Sequence, residues 1–148
     1  MSRQLITFQL GEQFLGVDIM AIREIRAWTP TTILPHAAPH VRGVVNLRGT
    51  VLPVLDLSAR LGWGLTDPTG RHVIIVVQIA DQLQGLIVDA VNDIVSIDEA
   101  ELQPAPTLGN EAADSFLEGL VPVDGRMVMV LHLDRLAESG VEPIAEAA

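Results

Sequence analysis

Four histidines are the first residues to weigh for chemistry in this 148-residue chain: His36, His40, His72 and His132. His36 and His40 are four apart, the spacing at which two imidazoles on one helix face share a metal. Pro39 lies between them, so no helix is expected there and the pair reads as surface loop. His72 and His132 stand at strand ends and read as ordinary. The chain has no cysteine, which removes disulfides, thiolate metal sites and thiol catalysis. Ser58, Ser96, Ser115 and Ser139 sit in no G-x-S-x-G context. There is no phosphate loop, dinucleotide fingerprint or H-E-x-x-H. Asp81, Asp89, Asp93 and Asp98 form a regular acidic series near strand ends, which reads as a solvated rim. No cofactor, metal site or catalytic residue is expected. The enzymatic rival is a small hydrolase on an all-β scaffold. It would need a cleft holding His72 or His132 beside an activated serine or a carboxylate.

What remains is binding. The net charge is −10, carried against nine arginines and no lysine. That balance opposes non-specific nucleic-acid binding and docking on anionic lipid, both of which need clustered cations. With two Trp, three Phe and no Tyr, aromatic anchors are scarce. Aliphatic grooves with arginine as the polar anchor would have to carry an interface. Arg48 is the candidate, set in "GVVNLRGTVLPVLDL" (Gly43 to Leu57) between two apolar runs. On physics alone it is either a turn residue or a fork of donors presented to a partner.

The elements that would hold it are short strands. "LITFQL", "GEQ" and "FLGVDI" make a hairpin. "MAIREIRAW" reads as a helical turn or a strand. "TPTTILPHAAPH" is loop, because Pro30, Pro35 and Pro39 remove donors and restrict their neighbours. "VRGVVNL" and "TVLPVLDL" follow, joined through Arg48-Gly49, and Pro53 points to an edge strand or a bulge. "LSARLGW" is a short helix after Asp56. "GLTDPTG" (Gly64 to Gly70) is the best internal break. "RHVIIVVQI" is a buried strand, and "GLIVDAVNDIVSI" two strands bent near Ala90. "FLEGLVPV", the turn "DGR" and "MVMVLHL" close with a hairpin. The reading is all-β, about ten short strands with a few helical turns, of small-barrel type. The N-terminus has no signal-peptide pattern, and no apolar run approaches the roughly 20 residues of a membrane span. The chain therefore reads as cytoplasmic.

"GVVNLRGTVLPVLDL" is very similar to the signature of the CheW family, the coupling proteins of bacterial chemotaxis. Four further elements match in order: "FQLGEQFLGVDI", "IREI" (Ile22 to Ile25), "HVIIVV" with "GLIVDAVNDIVSI", and "LEGLVPVDGRMVMVLHLDRL". Together they run from about Leu5 to Leu136. The resemblance implies two intertwined five-stranded SH3-like barrels. One lobe would span about 13–66. The other would span about 70–136 with the N-terminal strand 4–11, and 137–148 would be a frayed tail. It implies a non-enzymatic adaptor, recruited to membrane-associated arrays. The adaptor would link the cytoplasmic tip of a methyl-accepting chemoreceptor to the regulatory domain of a CheA-type histidine kinase; that domain is itself CheW-like, so the two could pack pseudo-symmetrically into rings, and whether other CheW molecules join or form rings alone is left open by the sequence. The receptor-facing groove would use Glu24, Gly43, Val44, Asn46 and Arg48, lined from the second lobe by Ile94. The kinase-facing surface would use Ile6, Ile19, Ile22 and Val91, for which core packing is nearly as good a reading. A coupler of surface motility or gene regulation is the alternative within the family. Trp28 and Trp63 match no fixed family position and read as packing residues.

Overall fold

The computed structural model describes residues 2–33, 35, 40–79, 81–104 and 116–135. His36, Ser115, Ser139 and the expected tail 137–148 lie outside the described residues. Among the described residues, ten strands carry the fold. They are β1 (Ser2–Leu10), β2 (Gln13–Asp18), β3 (Ile22–Ala27), β4 (Val41–Leu47), β5 (Thr50–Asp56), β6 (Val73–Ile79), β7 (Gln82–Val88), β8 (Ala90–Asp98), β9 (Leu117–Val123) and β10 (Arg126–Leu131). One α-helical turn, α1 (Leu57–Arg60), follows β5. The all-β expectation holds, as two five-stranded sheets ordered β8-β1-β2-β10-β9 and β3-β6-β7-β5-β4.

The sheets redraw the expected lobes. The chain crosses from one sheet to the other at the 3-10 turn Ile19–Ala21 and crosses back at Asp89. Residues 22–88 therefore form a central lobe, and the two ends of the chain form a terminal lobe. Gln13–Asp18 leaves the first expected lobe because β2 pairs with β1 through six residues, from Leu5↔Asp18 to Leu10↔Gln13. Val73–Val88 leaves the second because β6 pairs with β3 and β7 runs parallel to β5. The Gly64–Gly70 break is a loop inside the central lobe, not a boundary. Pro53 lies on an interior strand rather than an edge, next to a register shift between Val41 and Gly43 in the β4–β5 ladder. The parallel ladder to β7 begins one residue later, at Val54↔Gly85. Its missing N–H thus falls just outside that ladder.

Three apolar clusters explain why the strands read as continuous hydrophobic runs. Ile75, Val77 and Ile79 pack between the sheets with Phe8, Leu15, Leu55 and Leu86. Their neighbours Ile74 and Val76 face the central lobe's own core with Leu52, Val54 and Ile87. Leu5, Ile97, Val121, Val128 and Val130 fill the terminal lobe. A strand whose two faces both meet a core loses the polar alternation of a one-sided sheet. Asp56 opens α1 from within this packing. It is fully buried, and its carboxylate accepts the Thr66 N–H at 2.6 Å, the Thr66 hydroxyl at 2.8 Å and the Ala59 N–H at 3.3 Å.

Candidate functional site

The site begins in the two-residue turn between β4 and β5. Arg48 (φ 51°) and Gly49 (φ 88°) both have left-handed backbones, and Leu47 and Thr50 pair on either side. This is the turn whose twist matches a hairpin, and it favours Asn-Gly or Gly-Gly. Asn46 supports it by accepting the Gly49 N–H on Oδ1 at 2.8 Å. An arginine at φ 51° costs about 1–3 kcal/mol relative to a relaxed residue. The turn imposes that backbone on any residue at this position, as on Asp124 (φ 49°); what is particular to Arg48 is the role of its side chain.

That role is visible across the sheet. β3 and β4 are the two edges of the central lobe and do not pair with each other, which leaves a seam. Glu24 on β3 accepts a hydrogen bond from the Arg48 guanidinium through Oε1. It accepts a second from Arg26 Nη1 through Oε2 at 2.9 Å. Glu24 is 22% exposed and Arg48 74%. The Arg26 hydrogen bond is the largest influence holding the Glu24 carboxyl below its ordinary pKa. Partial burial opposes it, and the hydrogen bond and charge of Arg48 add to it. One carboxylate between two guanidiniums leaves a surplus positive charge at the seam.

Gly43 (φ 142°) belongs to the same seam for a steric reason. A Cβ there would meet the Thr32 carbonyl oxygen at 2.3 Å. Without it, Thr32 lies against β4, exchanging two 2.9 Å backbone hydrogen bonds with Val44. The Thr31 hydroxyl donates to the Arg42 carbonyl at 3.0 Å. Next to this contact a groove of about 270 Å³ opens in the seam, with Val44, Asn46 and Arg26 on its walls and Ile74 and Val76 below.

The structure thus joins Glu24 to Arg48 directly, and sets Gly43, Val44 and Asn46 along the same edge. It does not bring Ile94 to this groove. Ile94 is 58% exposed on β8, which forms an outer edge of the opposite sheet. Of the four aliphatic candidates, Ile6 is 5% exposed and has little surface to offer. Ile22 and Val91 are half-buried against the inter-sheet core, and Ile19 lies in the 3-10 turn beside Met20, which is 78% exposed. Sequence reasoning missed Arg26, although its period-two spacing from Glu24 on a strand puts both side chains on one face. It also missed Asp89. This residue is no rim carboxylate: it accepts the Gly11 N–H at 2.6 Å and stands 3.3 Å from His72 Nε2. It thereby ties the lobes together at the second crossover.

Thr69, His72 and Asp89 superficially resemble a nucleophile, base and acid, with the Thr69 hydroxyl 3.3 Å from His72 Nδ1. That nitrogen already accepts the Thr69 backbone N–H at 3.0 Å. Its lone pair is thus occupied by a loop contact rather than aimed at a reacting hydroxyl. No group of three or more His, Cys, Asp or Glu that could hold a metal occurs among the described residues. No helix among them is long and apolar enough to cross a membrane.

Residues 4–141 match the CheW-like domain family. The chain belongs to the CheW family. It is 48% identical over 137 residues to a chemotaxis protein CheW of Rhizobium meliloti, an alignment covering 93% of this chain and 88% of the relative. It is 46% identical to a probable chemotaxis protein CheW of Rhizobium etli, covering 90% and 86%. The crystal structure of the scaffolding protein TtCheW from Thermoanaerobacter tengcongensis superposes with a TM-score of 0.83 at 34% identity, covering 92% of this chain and 88% of that one.

Proposed function

We propose that this CheW-family chain is a non-enzymatic chemotaxis adaptor that couples chemoreceptor tips to a CheA-type histidine kinase. The observation that carries the reading is the seam contact. Arg48 reaches Glu24 from a left-handed turn while keeping its guanidinium largely exposed. A receptor tip is a helical hairpin, and a groove edge bearing a planar fork of donors suits a helix end or a carboxylate on it. Glu24 orients that fork before the partner arrives, which reduces the ordering cost of binding. Gly43, Val44 and Asn46 shape the edge. The kinase-facing surface uses Ile19, Ile22 and Val91, with Ile6 as a buried member.

The action has no chemical step. The adaptor holds the kinase against receptor tips, and a receptor change is passed on as a shift in the kinase's active population. Weak individual contacts suffice where an array supplies avidity, and contacts between copies of this chain would extend such an array as rings. The working location is the cytoplasmic side of a receptor-bearing membrane.

Capture of CheA and receptor-tip fragments by the parent chain and by Arg48→Ala tests this. The variant is expected to keep the kinase and to lose receptor affinity by roughly thirtyfold or more, the loss typical of a removed interface charge contact. A folded parent that captures neither partner, or a variant that holds the receptor undiminished, would overturn the reading.

A further inference from the structure

One edge of the central lobe is left partly unpaired, and the cause is a proline. Thr32 and Val44 form a single antiparallel bridge. Continued by two residues, that register would set Pro30 against Asn46, and Pro30 has no N–H to donate. Along β4 the backbone groups alternate in direction. The tight turn makes Leu47 and Thr50 the closing hydrogen-bonded pair, so Leu47 and Val45 face β5, while Val44 and Asn46 face outward. Val44 is taken by Thr32; the exposed Asn46 presents its N–H and C=O to the open edge.

Beside that edge lies the seam groove. Its floor is apolar, with Leu47, Val51, Ile74 and Val76. Its volume of about 270 Å³ is below the usual range of small-molecule sites and suits one large apolar side chain. On the far wall Arg26 gives Nη1 to Glu24, and its other guanidinium donors remain for a ligand.

From these three features together we infer that the seam is a docking site for an extended acidic peptide of a partner protein. The peptide adds a short strand to β4 at Asn46, seats an apolar side chain on the groove floor and places a carboxylate on Arg26. A helix would satisfy its own backbone and leave Asn46 unpaired, whereas strand addition uses those groups directly. In a strand, residues i and i+2 face the same way about 7 Å apart, so the apolar and acidic side chains alternate with neutral ones. The Arg26 guanidinium donors that Glu24 does not take select the acidic residue. The site shares Val44 and Asn46 with the proposed receptor face but does not need Arg48, which is not among its lining residues.

The test is an NMR titration of the full chain with the blocked peptide acetyl-Thr-Leu-Thr-Glu-Thr-amide. The Asn46 backbone amide is expected to shift and saturate. Affinity is expected to fall about tenfold when the peptide's Leu becomes Ser, when its Glu becomes Gln, or in the folded Arg26→Gln variant. N-methylation of one alternate set of peptide amides is expected to abolish binding and of the other set to spare it. Arg48→Ala is expected to keep peptide affinity within about twofold, which separates this site from the coupling reading. No saturable Asn46 shift at millimolar peptide would overturn the proposal. So would octanoate binding as tightly as the peptide, since the groove would then take free apolar acids, or indifference to both N-methylated sets.

Discussion

Replacing Gly43 by alanine tests whether the seam is held by the geometry described. The new Cβ would sit 2.3 Å from the Thr32 carbonyl oxygen and 2.8 Å from its carbon, both backbone atoms with no side-chain freedom to retreat. The residue would also keep a φ of 142°, a region that residues with a Cβ rarely enter. Strain of this kind costs about 1–3 kcal/mol. Relief by moving the 31–33 segment away gives up the two Thr32–Val44 hydrogen bonds, each worth about 1 kcal/mol. The total is about 3–5 kcal/mol, and at about 2–4 °C per kcal/mol for a chain of this size Tm falls by roughly 6–20 °C. Gly49→Ala is the control. Its φ is 88°, yet its Cβ would meet nothing within 4 Å, so backbone strain alone costs about 1 kcal/mol and Tm falls only about 2–4 °C. The assay is thermal unfolding by circular dichroism, with amide exchange at Thr32 and Val44 to locate the change. Equal Tm losses in the two variants, or protected Thr32 and Val44 amides in Gly43→Ala, would refute the steric argument.

Three other outcomes follow from the same structure. Glu24 binds its proton less readily folded than unfolded, so its ion pairs stabilise fully above its ordinary pKa of 4.5 and lose effect as pH falls through the lowered value. The stability gap between the parent and Glu24→Gln is therefore flat from about pH 5 to 8 and closes below that range, as read by denaturant unfolding at each pH. Gln84 is fully buried on β7, and neither its Oε1 nor its Nε2 has a hydrogen-bond partner; Gln84→Leu is expected to raise stability by about 1–3 kcal/mol, measured by urea unfolding, and a loss would show that the amide is satisfied in solution. Leu86 is fully buried in the cluster between the sheets; Leu86→Ala is expected to cost about 2–5 kcal/mol and to lower the unfolding of both lobes as a single calorimetric transition.

The strands and turns were legible because each has a local cause. Asp124-Gly125 and Arg48-Gly49 mark hairpins through left-handed backbones, both confirmed by positive φ at all four residues. The short helix after Asp56 was legible from its cap, which does accept the Ala59 N–H. Lobe membership was not legible. Hydrophobic period reports that a strand is buried, not which strand covers it, and Val73–Ile79 is apolar on both faces because it serves two cores at once. The crossover at Asp89 has no signature of its own: a single aspartate among β-branched residues looks like a bulge, and only its bonds to Gly11 and His72 reveal a joint. At the seam, composition and pattern pointed to Arg48 alone, and only the family resemblance set Glu24 in the same groove. Glu24 and Arg48 are 24 residues apart and belong to opposite edges of one sheet, a relation that depends on three intervening strands.

The topology also bears on how an adaptor without chemistry could transmit anything. Among the described residues the chain passes between lobes at two places, Ile19–Ala21 and Asp89. The proposed kinase-facing residues cluster at those places: Ile19 and Ile22 bracket the first crossover, and Val91 follows the second by two residues. β3 then runs from Ile22 through a register shift to Glu24, so the aliphatic contact and the carboxylate bonded to Arg48 are two residues apart on one strand. Ile22 packs against the core shared by both sheets. A displacement there cannot be absorbed by a loop and must be taken up in close-packed side chains, which are poorly compressible. A partner pressing on the crossover and a partner held at the seam would therefore act two residues apart on one short strand. That is a physical basis for coupling two binding events, and it requires neither a cavity nor a titrating group between them.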